Sequence, residues 1–342
     1  MKDQLLLPEQ GRAALLRSRA EAMDVARERV RRPNATNTNR TYDSARGQWT
    51  AYCDALGVPW GPVDPIELLY YLEQLGARCK PSTVRLHLAA IADLDKCCRV
   101  CPDDPTPASI RTHEAVKRWY RNWAREHRNA PKKRAAALTP FGLEALLRAA
   151  AEPPKNAGRA AHMLRYLRDR SLILIGAEGA FRGAELGQMT LAHVRRTDSG
   201  LEIYVASSKT DQTGEGEWVG VMPQGKAALC VVAAYSAWML VRGNEPGPLF
   251  PAIDRAGTLD LTSGLSERQI TRLVSDYAKR AGIELQISAH SLRATLATLA
   301  SGKGHGLDRI MKHGRWRSAH VAASYIRQGE LFRDNVTGGL FD

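Results

Sequence analysis

No apolar run in the 342-residue chain approaches the roughly 18 residues that a membrane-spanning helix needs. The opening MKDQLLLPEQGRAALL also lacks the apolar core and cleavage site of an export signal. A cytoplasmic protein without a membrane partner is therefore expected. Cysteine is sparse: Cys53, Cys79, Cys97, Cys98, Cys101 and Cys230 make six, expected to stay reduced. The pair Cys98 and Cys101 has no second Cys-x-x-Cys or His-x-x-x-His partner at ligand spacing, so buried thiols are expected rather than a metal site. Neither a Walker nor a Rossmann glycine pattern occurs, and no nucleotide or other cofactor is expected. Negative charge is in deficit too. Against 49 Lys and Arg stand 36 Asp and Glu, for a net charge of +13. Residues 1–130 hold 21 basic and 16 acidic side chains and residues 131–342 hold 28 and 20, so no single basic tail is responsible. That excess in both halves is the footprint of a partner rich in phosphates, although charge alone also fits a soluble protein that is merely basic.

What is present organises itself into two domains, the expectation for a chain longer than one core usually serves. The pattern in 1–130 is helical throughout. A charged helix spans about 14–31, and RRPNATNTNR interrupts it. The next covers about 41–56 with Trp49 and Tyr52 on its apolar side. A third opens with Asp64 as N-cap and Pro65 in its first turn, and a fourth starts at Pro81 or Ser82. PASIRTHEAVKRWYRNWAREHRN reads as a fifth, with Arg111, Arg118, Arg121, Arg125 and Arg128 in one stripe and Val116, Trp119, Tyr120 and Trp123 opposite. Such a stripe suits phosphate contact; it equally describes a solvated face on which Glu114 pairs with Arg111 or Arg118.

Residues 131–138, within NAPKKRAAALTP, read as an exposed basic linker, and 139–342 as a second domain whose first helix is capped by Thr139. Strands are expected near 193–197, 201–206 and 217–222. Helices are expected at about 161–178, 224–241, 266–281, 290–301 and 306–312. The fold class is mainly α, an all-helical N-terminal bundle plus an α+β domain with a small antiparallel sheet.

Four separated pieces of the second domain carry the chemistry. GAFRGAELGQMTL holds Arg182 and Glu185, and ASSKTDQTGEG holds Lys209 in a glycine-rich hairpin. ISAHSLRATLATLA holds His290 and Arg293, and HGRWRSAHVAASYIRQ holds Trp316 nine residues before Tyr325. Each is weak alone, and a tyrosine at helical spacing packs more often than it reacts. Taken together and in this order, Arg-x-x-Glu, hairpin Lys, His-x-x-Arg and a Trp ahead of a Tyr resemble the tyrosine recombinase family. The layout is closest to Cre-type recombinases: WTAYC, DPIELLYYL and STVRLHL look like their core-binding helices, and LSERQITRL and SYIRQ look like theirs as well.

The resemblance implies a site-specific recombinase with a core-binding domain in 1–130 and a catalytic domain in 139–342. The two would form a C-shaped clamp on double-stranded DNA. A target with inverted repeats is implied, bound by a dimer per site and a homotetramer on two sites, with the tail after Tyr325 exchanged between protomers. Strand exchange would pass through a 3′-phosphotyrosine and a Holliday junction without ATP or metal. The implied roles are Tyr325 as nucleophile, Arg182 and Arg293 as phosphate donors, and Lys209 as general acid to the leaving oxygen. His290 would handle the tyrosine proton, Trp316 would donate its indole N–H, and Glu185 would orient the site. His313, three residues before Trp316, is the competing candidate for the indole's place. Candidate DNA contacts are Arg40, Arg46, Lys80, Ser82, Thr83, Arg85, Arg118 and Arg121 in the first domain, with Arg268 and Thr271 in the second. Within the same chemistry, a type IB topoisomerase-like enzyme or a hairpin-forming resolvase is the alternative. Outside it, the alternative is a DNA-binding module without cleavage.

Overall fold

A computed structural model of the chain describes residues 36–98, 109–127, 135–154, 158–206 and 216–329. Lys209, the tail from 330 onward, and the helix expected at 14–31 lie outside the described residues. The chain divides into two compact units, 1–132 and 133–342. No helix of the described residues is long and apolar enough to cross a membrane.

The first unit is built from α1 (Thr36–Leu56), α2 (Pro65–Gly76), α3 (Pro81–Cys98) and α4 (Glu114–Glu126). Helix α1 starts five residues before the expected boundary, since nothing after Pro33 breaks a helix. Asp64 accepts the Ile66 N–H at 2.7 Å and Pro65 opens α2, as its sequence demands. The bundle closes on Trp49, Leu68, Leu72, Leu75, Val84, Ile91, Val116 and Trp123. Each such side chain contributes about 1.5–3 kcal/mol by leaving water. Polar groups carried inside are matched: Trp49 Nε1 donates to Trp60 O at 2.9 Å, and Asp95 accepts the Val63 N–H at 2.8 Å.

The fifth expected helix is not continuous. Residues Ile110–Thr112 form a separate 3₁₀ turn capped by Ser109, His113 is extended at φ −58° and ψ 130°, and α4 begins only at Glu114. Arg111 therefore stands outside α4. Among the described residues no ion pair joins Glu114 to Arg111 or Arg118.

The second unit runs α5 (Pro140–Ala151), α6 (Arg159–Glu178), α7 (Gly183–Gln188), β1 (Val194–Thr197), β2 (Gly200–Val205), β3 (Glu217–Val221), α8 (Val231–Arg242), β4 (Pro251–Ile253), β5 (Leu259–Gly264), α9 (Glu267–Arg280), α10 (Ala289–Gly302), α11 (Leu307–Gly314) and α12 (Ala319–Gly329). Strands β1, β2 and β3 form one antiparallel sheet in that order, with Ile203 opposite Val194 and Val219. Leu201, Ile203 and Val205 alternate into the core, the period-2 pattern of a sheet with one wet face.

Two expectations need correction here. The helix expected at 224–241 begins at Val231, because Ala227–Leu229 is a 3₁₀ turn and Cys230 is extended. Arg170 Nη2 takes the Ala227 carbonyl at 2.7 Å, one of those a longer helix would have used. The short hairpin of β4 and β5 was not anticipated. Its strands are three and six residues long and mostly wet, so they carry little hydrophobic signal.

Candidate active site

Helix α6 is nearly all buried over Leu172–Ala177, and its end sets the position of everything that follows. The chain leaves it through Gly179, Ala180 and Phe181 and re-enters a helix at Gly183. A Cβ on Gly179 would overlap the Phe181 ring, so the turn needs glycine there. Arg182 is therefore the N-cap of α7, and Glu185, three residues on, reaches back to accept its backbone N–H at 2.9 Å. Glu185 also binds the Arg182 side chain, Oε1 to Nη1 at 2.5 Å. The Arg182 side chain keeps 22% of its surface open, while that of Glu185 keeps 5%.

Helix α10 supplies His290 and Arg293 from its first turn and a half. Arg293 is 1% exposed; Nη1 donates to Ala180 O and Nη2 to Gly314 O. Its guanidinium lies 4.3 Å from the centre of the Trp316 ring. Burial, then the charges of Arg182 and Arg315, press its pKa down from the arginine value. The intrinsic basicity of a guanidinium keeps it charged at neutral pH.

Helix α12 brings Tyr325 to this group. Its ring is 8% exposed, packed with Ala294, Ala297, Ile310, Trp316 and Ala322. Its hydroxyl lies 2.7 Å from His290 Nε2, and with that nitrogen unprotonated the phenol donates. Burial of the imidazole comes first, then Arg293 and Arg182, in holding the His290 pKa below 6.5, against a smaller opposing pull from Glu267. At neutral pH the imidazole is neutral and can accept the phenol proton. Trp316 is 8% exposed with its ring 5.8 Å from that of Tyr325, and its indole N–H has no partner among the described residues. His313 points elsewhere: Nε2 donates to Glu178 O at 2.7 Å, which ties α11 to the end of α6.

Five expected site residues, Arg182, Glu185, His290, Arg293 and Tyr325, thus share one cluster, with Trp316 lining it. A seventh member escaped the sequence reading. Arg315 ends α11 in the left-handed region at φ 56°, a conformation that costs a non-glycine residue about 1 kcal/mol. Its Nη2 reaches Glu185 Oε2 at 3.0 Å. Burial alone would raise the Glu185 pKa; Arg315 first, then the backbone and side chain of Arg182, outweigh it and hold the carboxyl below its usual 4.5. The usual signal points elsewhere: a glycine at a helix end is itself the common left-handed residue, yet Gly314 stays helical and Arg315 takes that conformation.

The candidate DNA contacts fall into three situations. Arg40, Lys80, Ser82, Arg85, Arg118, Arg121 and Arg268 are exposed, and Thr83 and Thr271 half-buried. Arg46, by contrast, is committed within the bundle, its guanidinium bound to Asp93 of α3 and, at 3.2 Å, to Asp43. Arg85 and Arg121 come together with Arg111, Lys117 and Arg125 around one open cleft of about 770 Å³.

The phage integrase family matches residues 137–330. An integrase/recombinase XerD homolog of Selenomonas ruminantium is 28% identical over 322 residues, 93% of this chain and 89% of that one. The recombinase Cre of Escherichia phage P1 is 24% identical over 337 residues, 94% of this chain and 91% of its own. Among solved structures, a lambda integrase dimer bound to a COC′ core site has a TM-score of 0.55 at 16% identity, with 93% of this chain and 77% of that one covered. XerH bound to palindromic difH in a post-cleavage complex has a TM-score of 0.55 at 17% identity, covering 79% and 70%. These two likenesses establish a shared fold. With more than half of its length matched, the chain belongs to the phage integrase family, the tyrosine recombinases.

Proposed function

We propose that this protein is a site-specific DNA recombinase in which Tyr325 attacks the scissile phosphate. The observation that carries the reading is the 2.7 Å approach of the Tyr325 hydroxyl to His290 Nε2, inside a cluster that also holds Arg182 and Arg293. The Tyr325 oxygen forms the new bond to phosphorus as its proton passes to His290, and the bond to the 5′ oxygen breaks. Lys209, on the β2–β3 connection, gives the leaving oxygen its proton. Negative charge growing on the non-bridging oxygens is met by Arg182 and Arg293 in forked geometry and by the Trp316 N–H.

The 3′-phosphotyrosine keeps the energy of the broken linkage, so a 5′ hydroxyl from a second duplex can displace Tyr325 without ATP. Two rounds of such exchange pass through a Holliday junction. That requires two sites held together, which supports a dimer per inverted-repeat site and a homotetramer on two sites. Both units contact DNA: Arg40, Lys80, Ser82, Thr83, Arg85, Arg118 and Arg121 from the first, Arg268 and Thr271 from the second. Arg268 is exposed in the first turn of α9, which supports this reading, since a forked guanidinium suits a guanine edge. Residues 331–342 link protomers.

A plasmid carrying two copies of a DNA selected by binding from a random pool tests the function. Exchanged junctions are the expected product, and relaxation without exchange would favour the topoisomerase-like alternative. Deleting residues 331–342 should spare binding to one site and impair recombination; full recombination by the truncated chain would rule out the tail's role.

A further inference from the structure

The mechanism above leaves Arg315, a buried charge beside the reaction centre, without a task. Among the described residues, Ala180 and Arg315 are the non-glycine residues with positive φ, at 49° and 56°. They also touch, Arg315 Nη2 donating to Ala180 O at 3.3 Å. A glycine at 315 would end α11 without strain. Gly314 cannot exchange places with it, since a Cβ at 314 would overlap the Trp316 ring. The chain instead holds an arginine there with its side chain 3% exposed, so backbone strain and a buried charge coincide at one position.

The guanidinium is held by Glu185 and by backbone carbonyls around it. Nη2 holds Glu185 Oε2 at 3.0 Å, and Nη1 donates to Gly179 O at 3.1 Å and, more weakly, to His313 O at 3.4 Å. Its face lies 4.7 Å from the centre of the Phe181 ring, and the buried Nε has no partner among the described residues. Glu185 thereby grips two arginines at once, Arg182 through Oε1 and Arg315 through Oε2. The Ala180 carbonyl likewise receives both Arg293 and Arg315. Arg315 therefore joins the mounts of both proposed phosphate donors, its own guanidinium engaged by Glu185 and by the carbonyls of Gly179, Ala180 and His313.

We propose that Arg315 is a positioning residue for strand cleavage, fixing the Glu185 carboxylate and the Gly179–Phe181 turn so that Arg182 and Arg293 are already aimed when the phosphate arrives. The proposal rests on the cleavage reading given above. It accounts for the strain, because glycine would satisfy the helix end but not the carboxylate. Glu185, buried and facing Arg182 alone, would lose the larger of the charges that keep it ionised.

The test uses the full chain and a binding-selected duplex nicked near its centre, with dissociation constant, single-turnover rate of covalent adduct formation and its pH profile as readouts. Arg315→Gly should melt cooperatively, bind DNA within about twofold of wild type and form adduct roughly 10- to 100-fold more slowly. A second acid limb, separate from that of His290, should move to higher pH, as Glu185 becomes easier to protonate. Arg315→Lys restores charge without the fork and should recover only part of the rate. On a Glu185→Gln background, Arg315→Gly should cost little more, the signature of two residues acting as one. A wild-type rate and acid limb in Arg315→Gly, or an equal loss with and without Glu185, would overturn the proposal. Should Arg315→Gly not fold, Arg315→Lys decides by the same readouts, and a wild-type rate there overturns it. Absence of adduct from the wild-type protein would instead bring down the cleavage reading, and this inference with it.

Discussion

In the second unit Arg182, Arg293 and Arg315 are each tied to fixed acceptors, a carboxylate or backbone carbonyls, and two of the three are almost wholly buried. In the first unit Arg85, Arg111, Lys117, Arg121 and Arg125 ring an open cleft, and among the described residues none of them makes an ion pair. The same residue type is thus used under two different physical regimes. Cations held rigidly in a dry site lose little by reorganising and act strongly on charge that develops during a reaction. Exposed, unpaired cations keep their freedom and their hydration, and act by displacing counterions along a polyanion. The first arrangement suits chemistry at one phosphate, the second suits grip on many.

Substitutions in the two regions should therefore separate rate from affinity, and the largest effect is expected at the rigid site. Arg293→Lys keeps the charge but cannot hold the Ala180 and Gly314 carbonyls together while presenting a fork. Single-turnover adduct formation should fall about 10²- to 10³-fold, with DNA affinity nearly unchanged. An equal loss in affinity and rate would mean that Arg293 grips DNA as the exposed arginines do, and the contrast would collapse.

A pH series comes next. Because the folded pKa of His290 lies below 6.5, its imidazole is neutral at pH 7 and becomes charged as the pH falls through that lower value. Adduct formation should show an acid limb below pH 6.5. Replacing Arg293 or Arg182 should move the limb upward, since both charges depress it. The sign for stability is the same: an unfolded chain binds this proton more readily, so the contribution of His290 is present above 6.5 and lost as the pH falls below it. A limb that stays in place in those variants would show that the arginines do not act on His290.

In the cleft the expectation reverses. Arg121→Ala with Arg125→Ala should weaken binding to all sequences alike. The log–log salt slope should shrink by about 2, if each cation neutralises one phosphate. Cleavage at saturating protein should be unaffected. A change in sequence preference instead would turn the cleft into a reader of bases.

The smallest effect concerns Glu178, at the end of α6, whose carboxyl is pushed up to about 7, chiefly by burial and against hydrogen bonds from Gln224 and the Val231 backbone. A raised carboxylate pKa means that its contribution to stability is present below 4.5 and lost as the pH rises through 7. Glu178→Gln should raise the melting temperature slightly at pH 8 and leave it unchanged near pH 4. Equal melting at both would mean that the carboxyl is solvated.

How far the molecule could be read from its sequence follows the same division. Helices with local signals were legible: Asp64 with Pro65 opens α2, and Thr139 with Pro140 opens α5, its hydroxyl accepting the Gly142 N–H at 3.0 Å. The five clustered site residues could be named because their order and spacing resemble the pattern of the tyrosine recombinases. Their neighbours could not be. Arg315 gains its meaning from Glu185, 130 residues away, and Arg46 is occupied by Asp93, 47 residues away. The break before α4 depends on one extended residue, His113, inside an otherwise helical pattern, and β4 with β5 is too short and wet to show a period.

The central claim is that Tyr325 is a nucleophile and not a packing residue. The most direct measurement is a denaturing gel of a binding-selected duplex, nicked near its centre and incubated with wild type or with Tyr325→Phe. A covalent protein–DNA adduct that maps to Tyr325 and is absent from the variant is the predicted result. Tight binding with no adduct from either protein would contradict it and leave the 2.7 Å contact with His290 as part of a core.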